Sequence, residues 1–208
     1  MPRPSQQLDA ALLHSGRALY PDAGCARLSV RAVAQHAGVN PAMLHYHFKS
    51  KQNFLRTLLA GVYEEMYAGL EVEVAQTGPA VERLRSTLQV LAQFLREHRR
   101  VIARVWMDAL GGEPIAREFI QANGPRHLGV LTALLQRAES EGAIRPQPPA
   151  QRIAFVLGAV GMPLIFAAAL VESGVAPPAL RRGFEAQVMS DAAISQRIAL
   201  ALRALQAE

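Results

Sequence analysis

Residues 28–51 read LSVRAVAQHAGVNPAMLHYHFKSK, and this stretch decides the fold. Ser29 is placed to cap a helix, because a serine hydroxyl accepts an amide hydrogen bond from the first turn. Val30, Val33, Ala34 and Ala37 mark the buried face of that helix. Ala34 is small enough to let a following helix cross closely, and Gly38 suits the left-handed turn that closes it. Asn40 caps a second helix, and Pro41 fits its first position, where no amide donor is needed. Leu44 and Phe48 face inward on it, and Ser50 caps the helix that follows. Two short helices joined across a glycine turn make a helix-turn-helix, a unit whose second helix enters the DNA major groove.

Working outward, residues 5–20 return Leu8, Ala11, Leu12, Ala18 and Leu19 on a helical period. Pro21, Asp22 and Gly24 are expected to end that helix. After residue 50 a long helix carries Phe54, Leu55, Leu58, Val62 and Met66. Pro79 opens another, to about residue 98, striped with Val81, Leu84, Leu88, Leu91 and Leu95. Further helices are expected over 101–110, from Pro114 to an interruption at 123–125, and on to 141. A proline-rich break, RPQPPAQ, precedes helices over 151–172, 178–188 and 191–205. No segment alternates apolar and polar residues long enough to predict a strand. The expected architecture is all-α: an N-terminal three-helix helix-turn-helix DNA-binding domain over residues 1–51, and a C-terminal helical domain over 52–208, to which the family resemblance given below assigns effector binding and dimerisation.

Composition agrees. Half of the 208 residues are hydrophobic but only 6% are aromatic, so the core is built from aliphatic side chains. The formal net charge is +5, and +4 of it falls in residues 1–51, the segment that holds the helix-turn-helix. A positive end on a near-neutral body suits phosphate binding by the first part. The single cysteine, Cys25, excludes an internal disulfide and a cysteine-based zinc finger.

The run Ser29-Val30-Arg31, Val33-Ala34, Ala37-Gly38-Val39, Leu44, Tyr46-His47-Phe48 and Lys49-Ser50-Lys51 is spaced without gaps. In this, and in its position near the start of a helical chain, the sequence resembles the TetR family of bacterial transcription regulators. Beyond about residue 60 only the helical layout is similar. The resemblance implies a cytoplasmic homodimer, nucleoid-associated when bound to DNA, that sits on a pseudo-palindromic operator in double-stranded DNA and releases it when a small molecule binds. It places Ser29, Arg31, Pro41, Ala42, Met43, His45, Tyr46, His47 and Lys51 near DNA. The chain departs from the family at His45, where an aromatic, most often tyrosine, is usual. Arg31 has a fork that reaches a guanine edge or a phosphate, and Pro41, Ala42 and Met43 offer apolar contact to thymine methyls.

Residues 151–172 and 191–205 are the expected dimer interface. Tyr63, Met66, Tyr67, Phe94, Trp106, Met107, Phe155, Met162 and Phe166 are candidate lining for an effector pocket, each of them equally able to be core. Arg100, Arg104, His98 and His127 are candidates for a polar or anionic effector, although an apolar or amphipathic one is the expected class. No cofactor is implied.

Three other readings compete. The 19 uncharged residues 153–171 just reach the length of about 18 to 20 needed to cross a bilayer. A helix buried on all sides in an effector and dimer domain accounts for them as well, and no other membrane signal accompanies them. An enzyme is not expected, since the sequence holds no G-x-S-x-G, H-E-x-x-H or glycine-rich phosphate loop. A metal site is not expected either: His45 and His47 are two apart on a helix and point to different sides.

Overall fold

The computed structural model describes residues 4–74 and 77–206, and among them there is no strand. The chain forms α1 (Pro4–Arg27), α2 (Val30–His36), α3 (Pro41–Phe48), α4 (Lys51–Val74), α5 (Ala80–Glu97), α6 (Arg99–Leu110) and α7 (Pro114–Ser140). A long helix, α8 (Pro149–Glu172), follows, with π-helical turns at Leu157–Gly161 and Pro163–Ala167. Then come α9 (Pro178–Arg181), a π-helical turn at Glu185–Met189 and α10 (Asp191–Leu205).

Three boundaries differ from the sequence reading, each for a local reason. Helix α1 continues through Pro21, which removes one intrahelical bond without stopping the chain. The break comes at Gly24, whose φ of 63° lies in the left-handed region. Helix α7 likewise runs through Pro125 as one element instead of two. The helix expected over 178–188 is split, because Arg182 is extended and Gly183 takes a φ of 76°.

Two compact units emerge. One comprises the chain up to Glu65 together with Arg100–Asn123; the other comprises Met66–Arg99 and the chain from Gly124 onward. In the first, α1, α2 and α3 pack on one another over Leu12, Tyr20, Leu28, Val33, Ala34 and Leu44. Leu12, Ser15, Gly16 and Tyr20 form the buried side of α1, whereas Ala18 is exposed. At Gly16 a Cβ would lie 2.5 Å from both Leu58 and Phe54, so glycine is what lets α4 approach α1 this closely. Ion pairs Arg17–Glu65 and Arg56–Glu118, at 2.8 and 2.9 Å, sit at the surface of this unit.

A buried carboxylate organises its interior. Asp108 on α6 accepts from the Tyr20 hydroxyl at 2.9 Å, the Cys25 amide at 2.7 Å and Arg104 Nε at 2.8 Å. It thereby ties α6 to the bend that delivers the chain into α2. Three donors offset the cost of removing a charge from water. The Arg104 guanidinium lies against Gly24, where a Cβ would meet it at 2.2 Å. Burial pushes the Cys25 thiol up to about 11 and raises the Tyr20 hydroxyl beyond the range it titrates in water.

In the second unit α5 packs on α10; the Leu157–Gly161 turn of α8 packs on both, and the Pro163–Ala167 turn packs on α5. The core runs through Leu84, Leu88 and Leu91 of α5, Val156, Val160 and Leu164 of α8, and Ile194, Ile198 and Leu202 of α10. Arg152, at 1% exposure, is held by Glu139. By length and composition α8 is able to cross a membrane, yet its Val156, Val160 and Leu164 side is core. The opposite side leaves Ala154, Phe155, Gly158 and Met162 exposed.

Candidate DNA interface

The caps that shape the helix-turn-helix are in place. Ser29 Oγ accepts from the Ala32 amide at 3.0 Å, and Asn40 Oδ1 from the Ala42 amide at 2.8 Å. Ser50 Oγ does the same for Asn53 at 3.1 Å. Gly38 turns the chain with a φ of 69°. Val33, Ala34 and Leu44 then anchor α2 and α3 in the core, which fixes which side of α3 faces outward.

That outward face carries Pro41, Ala42, His45 and Tyr46, all exposed, and Arg31 is exposed in the first turn of α2. Tyr46 is 68% exposed, unusual for an aromatic residue in a folded chain. The Lys49 ammonium lies 5.5 Å from its ring centroid and donates to its carbonyl oxygen at 3.0 Å. Lys49 has a φ of 65°, a strained conformation for a lysine. Lys49, at the end of α3 beside Tyr46, is a further cation on this face that the helical spacing alone did not point to.

Other expected contacts are placed differently. Ser29 is exposed, but its hydroxyl is engaged as a cap. Met43 is half-buried. His47 turns back toward α1, where Nδ1 sits 2.5 Å from Asp9 Oδ1 and the side chain is 7% exposed. Lys51 is half-buried and donates to the Ala26 carbonyl at 2.8 Å, closing the loop ahead of α2. The exposed set is thus Arg31, Pro41, Ala42, His45 and Tyr46, with Lys49 at its edge.

The candidate effector residues are dispersed. Tyr63, Trp106 and Met107 belong to the first unit, and Met66, Tyr67, Phe94, Phe155, Met162 and Phe166 to the second. Tyr63 and Met66 are buried; Trp106, Met107, Phe155 and Met162 are at the surface. The Tyr63 hydroxyl donates to the Asn123 carbonyl at 2.7 Å and its ring meets Phe119 edge-on. Tyr67 lies under Arg126 at 3.9 Å, and Phe94 stacks on His98 at 4.2 Å. Of the cations considered for an anionic effector, Arg100 is taken by Asp22 and Arg104 by Asp108.

A three-helix N-terminal unit with a capped, outward-facing third helix defines a helix-turn-helix DNA-binding protein. Residues 12–58 match the family described as bacterial regulatory proteins, tetR family. The chain is 25% identical over 137 residues to the HTH-type transcriptional repressor KstR2 of Mycobacterium tuberculosis, covering 65% of this chain and 68% of that one. It is 25% identical over 178 residues to the HTH-type transcriptional regulator EthR of Mycolicibacterium smegmatis, covering 84% and 82%. Among solved structures, the ketosteroid transcriptional regulator KstR2 of Mycobacterium tuberculosis superposes with a TM-score of 0.71 at 19% identity, covering 96% of this chain and 95% of that one. The TetR-family regulator PfmR of Thermus thermophilus does so with a TM-score of 0.66 at 23% identity, covering 92% and 97%. Residues 12–58 thus carry the DNA-binding part of that family, and the chain is similar in sequence and in fold to TetR-family DNA-binding transcriptional regulators. The membrane-protein and enzyme readings are not favoured by these relationships.

Proposed function

We propose that this regulator is a repressor that binds a pseudo-palindromic operator as a homodimer and leaves it when an apolar or amphipathic effector binds. Residues 1–51 carry DNA recognition; residues 52–208 carry effector binding and dimerisation. The observation that carries this reading is the outward face of α3 with Arg31, His45 and Tyr46 presented together on a rigid, capped scaffold. Tyr46, His45 and Lys49 bring groups that bond phosphates and set the register of docking. Arg31 supplies the fork for a base edge. Pro41 and Ala42 offer little hydrogen-bond code, so groove shape contributes much of the fit.

Dimerisation rests on α8 and α10. Ala154 and Gly158 lie four residues apart on the exposed side of α8, and small residues at that spacing allow close approach of a second helix. Phe155 and Met162 supply the area to be buried. A dimer of this kind presents two recognition helices to successive major grooves, about 34 to 36 Å apart or somewhat wider. The apolar interior of the second unit, and the likeness to a ketosteroid transcriptional regulator, favour an apolar effector with a polar end. We place the protein in the bacterial cytoplasm, on the nucleoid when bound. The test is a pull-down of genomic fragments by the purified protein, followed by sequencing. A recovered inverted repeat upholds the reading; fragments with no shared sequence contradict it.

A further inference from the structure

Asp9 breaks the pattern of the helix it belongs to. The buried side of α1 runs through Leu12, Ser15, Gly16 and Tyr20, and Asp9, three residues before Leu12, extends that side by one turn. A carboxylate oxygen taken out of water there is costly unless a partner meets it. The Asp9 side chain is 41% exposed, but its Oδ1 is buried and lies 2.5 Å from Nδ1 of His47 on α3. The two meet as an ion pair and not as an aligned hydrogen bond. The far nitrogen of the imidazole, Nε2, is buried and makes no hydrogen bond. Among the described residues Asp9 is therefore the polar partner that holds this ring inward.

The pair sits where α3 needs a second anchor. Of the eight residues of α3, Leu44 alone is fully buried, and a single buried side chain leaves a short helix free to roll about its axis. His47, three residues on, lies on the same face and fixes that roll through its contact with α1. The held imidazole in turn supports the outward side. The Tyr46 ring stands edge-on to it, with centroids 5.1 Å apart and planes at 86°, and the Lys49 ammonium lies 5.5 Å from the Tyr46 ring. On its other flank the imidazole meets Phe48 at 6.4 Å, and Phe48 stands edge-on to Phe54 of α4 at 5.0 Å. A line of contacts thus runs from a carboxylate on α1, through His47, to the tyrosine and lysine that face outward. Without Asp9 the imidazole would be left buried with no polar partner. Its escape is outward, which displaces the Tyr46 ring.

We propose that Asp9 is a positioning residue for DNA binding: through His47 it sets the roll of α3 and the placement of Tyr46, without touching DNA itself. This rests on the reading of α2 and α3 as the DNA-binding face, and it makes His47 a strut instead of a contact. The sign of the effect is diagnostic. As a bystander acid, Asp9 opposes phosphate binding, and its removal tightens the complex; as a positioning residue, its removal weakens it. The test is fluorescence anisotropy of the full chain on the inverted repeat selected from a random DNA pool, at fixed salt and neutral pH. Asp9→Ala weakens binding about tenfold with an unchanged circular dichroism spectrum. Asp9→Glu recovers most of the loss, because it keeps the charge and a side chain 41% exposed has room for one more methylene. The double variant Asp9→Ala with His47→Ala binds no more weakly than His47→Ala alone, because the carboxylate acts only through the imidazole. Binding by Asp9→Ala as tight as that of the wild type or tighter, or losses that add in the double variant, overturns the proposal. If Asp9→Ala does not fold, Asp9→Asn, which keeps the shape and removes the charge, takes its place, and wild-type affinity in it overturns the proposal equally. A wild type that binds the repeat while Asp9→Ala matches it sinks this proposal alone; a wild type with no preferred DNA sinks the regulator reading and this proposal with it.

Discussion

Tyr46 shows what a single side chain contributes. It is 68% exposed and its carbonyl, not its ring hydroxyl, is engaged within the chain, so its removal leaves the core untouched. Tyr46→Ala is expected to weaken operator binding about tenfold with an unchanged melting temperature; fluorescence anisotropy on labelled DNA measures the first and calorimetry the second. Cys25 makes a different prediction. Its thiol titrates near 9.0 in an unfolded chain and at about 11 in the fold, because burial disfavours the thiolate. The stabilisation is complete below pH 9 and is lost as pH rises to 11, by on the order of 2 kcal/mol. The raised Tyr20 hydroxyl adds loss of the same sign above pH 10. Urea unfolding at pH 8 and pH 10 measures this, and Cys25→Ala should flatten the difference.

At the scale of elements, the caps and turns of the helix-turn-helix were legible because each depends on a short-range rule. Ser29, Asn40, Pro41, Gly38 and Ser50 all act within four residues of themselves. Continuity through Pro21 and Pro125 was not legible, since a proline lowers helix stability locally while packing on distant residues holds the helix together. The inward turn of His47 to Asp9 and the tether of Lys51 to Ala26 also escaped, because their partners lie 38 and 25 residues away. Asp108 carried no signal beyond its i,i+4 spacing from Arg104, and its role depends on the bend at Gly24. The meeting of α1 and α4 gives a test at this scale. Gly16→Ala places a methyl 2.5 Å from Leu58 and Phe54, and should cost about 1 to 3 kcal/mol in chemical denaturation. A neutral result would mean that α4 stands further from α1.

For the whole molecule, the apolar run over 153–171 was ambiguous in sequence between a membrane span and a core helix. Composition alone does not separate them; Val156, Val160 and Leu164 are core on one side, and Ala154, Phe155, Gly158 and Met162 are exposed on the other, the side proposed above for the dimer. Met162→Arg is therefore expected to convert a dimer to a monomer in sedimentation at micromolar concentration. It should also weaken operator binding by more than tenfold, because a single recognition helix loses the linked second half-site. The central claim, that this chain reads DNA through α2 and α3, is tested most directly by band shift on DNA selected from a random pool, across a salt series. The account predicts one enriched inverted repeat, a complex that weakens steeply as salt rises, and loss of that complex in Arg31→Ala. Recovery of no shared sequence, or a complex indifferent to Arg31→Ala and to salt, would contradict it.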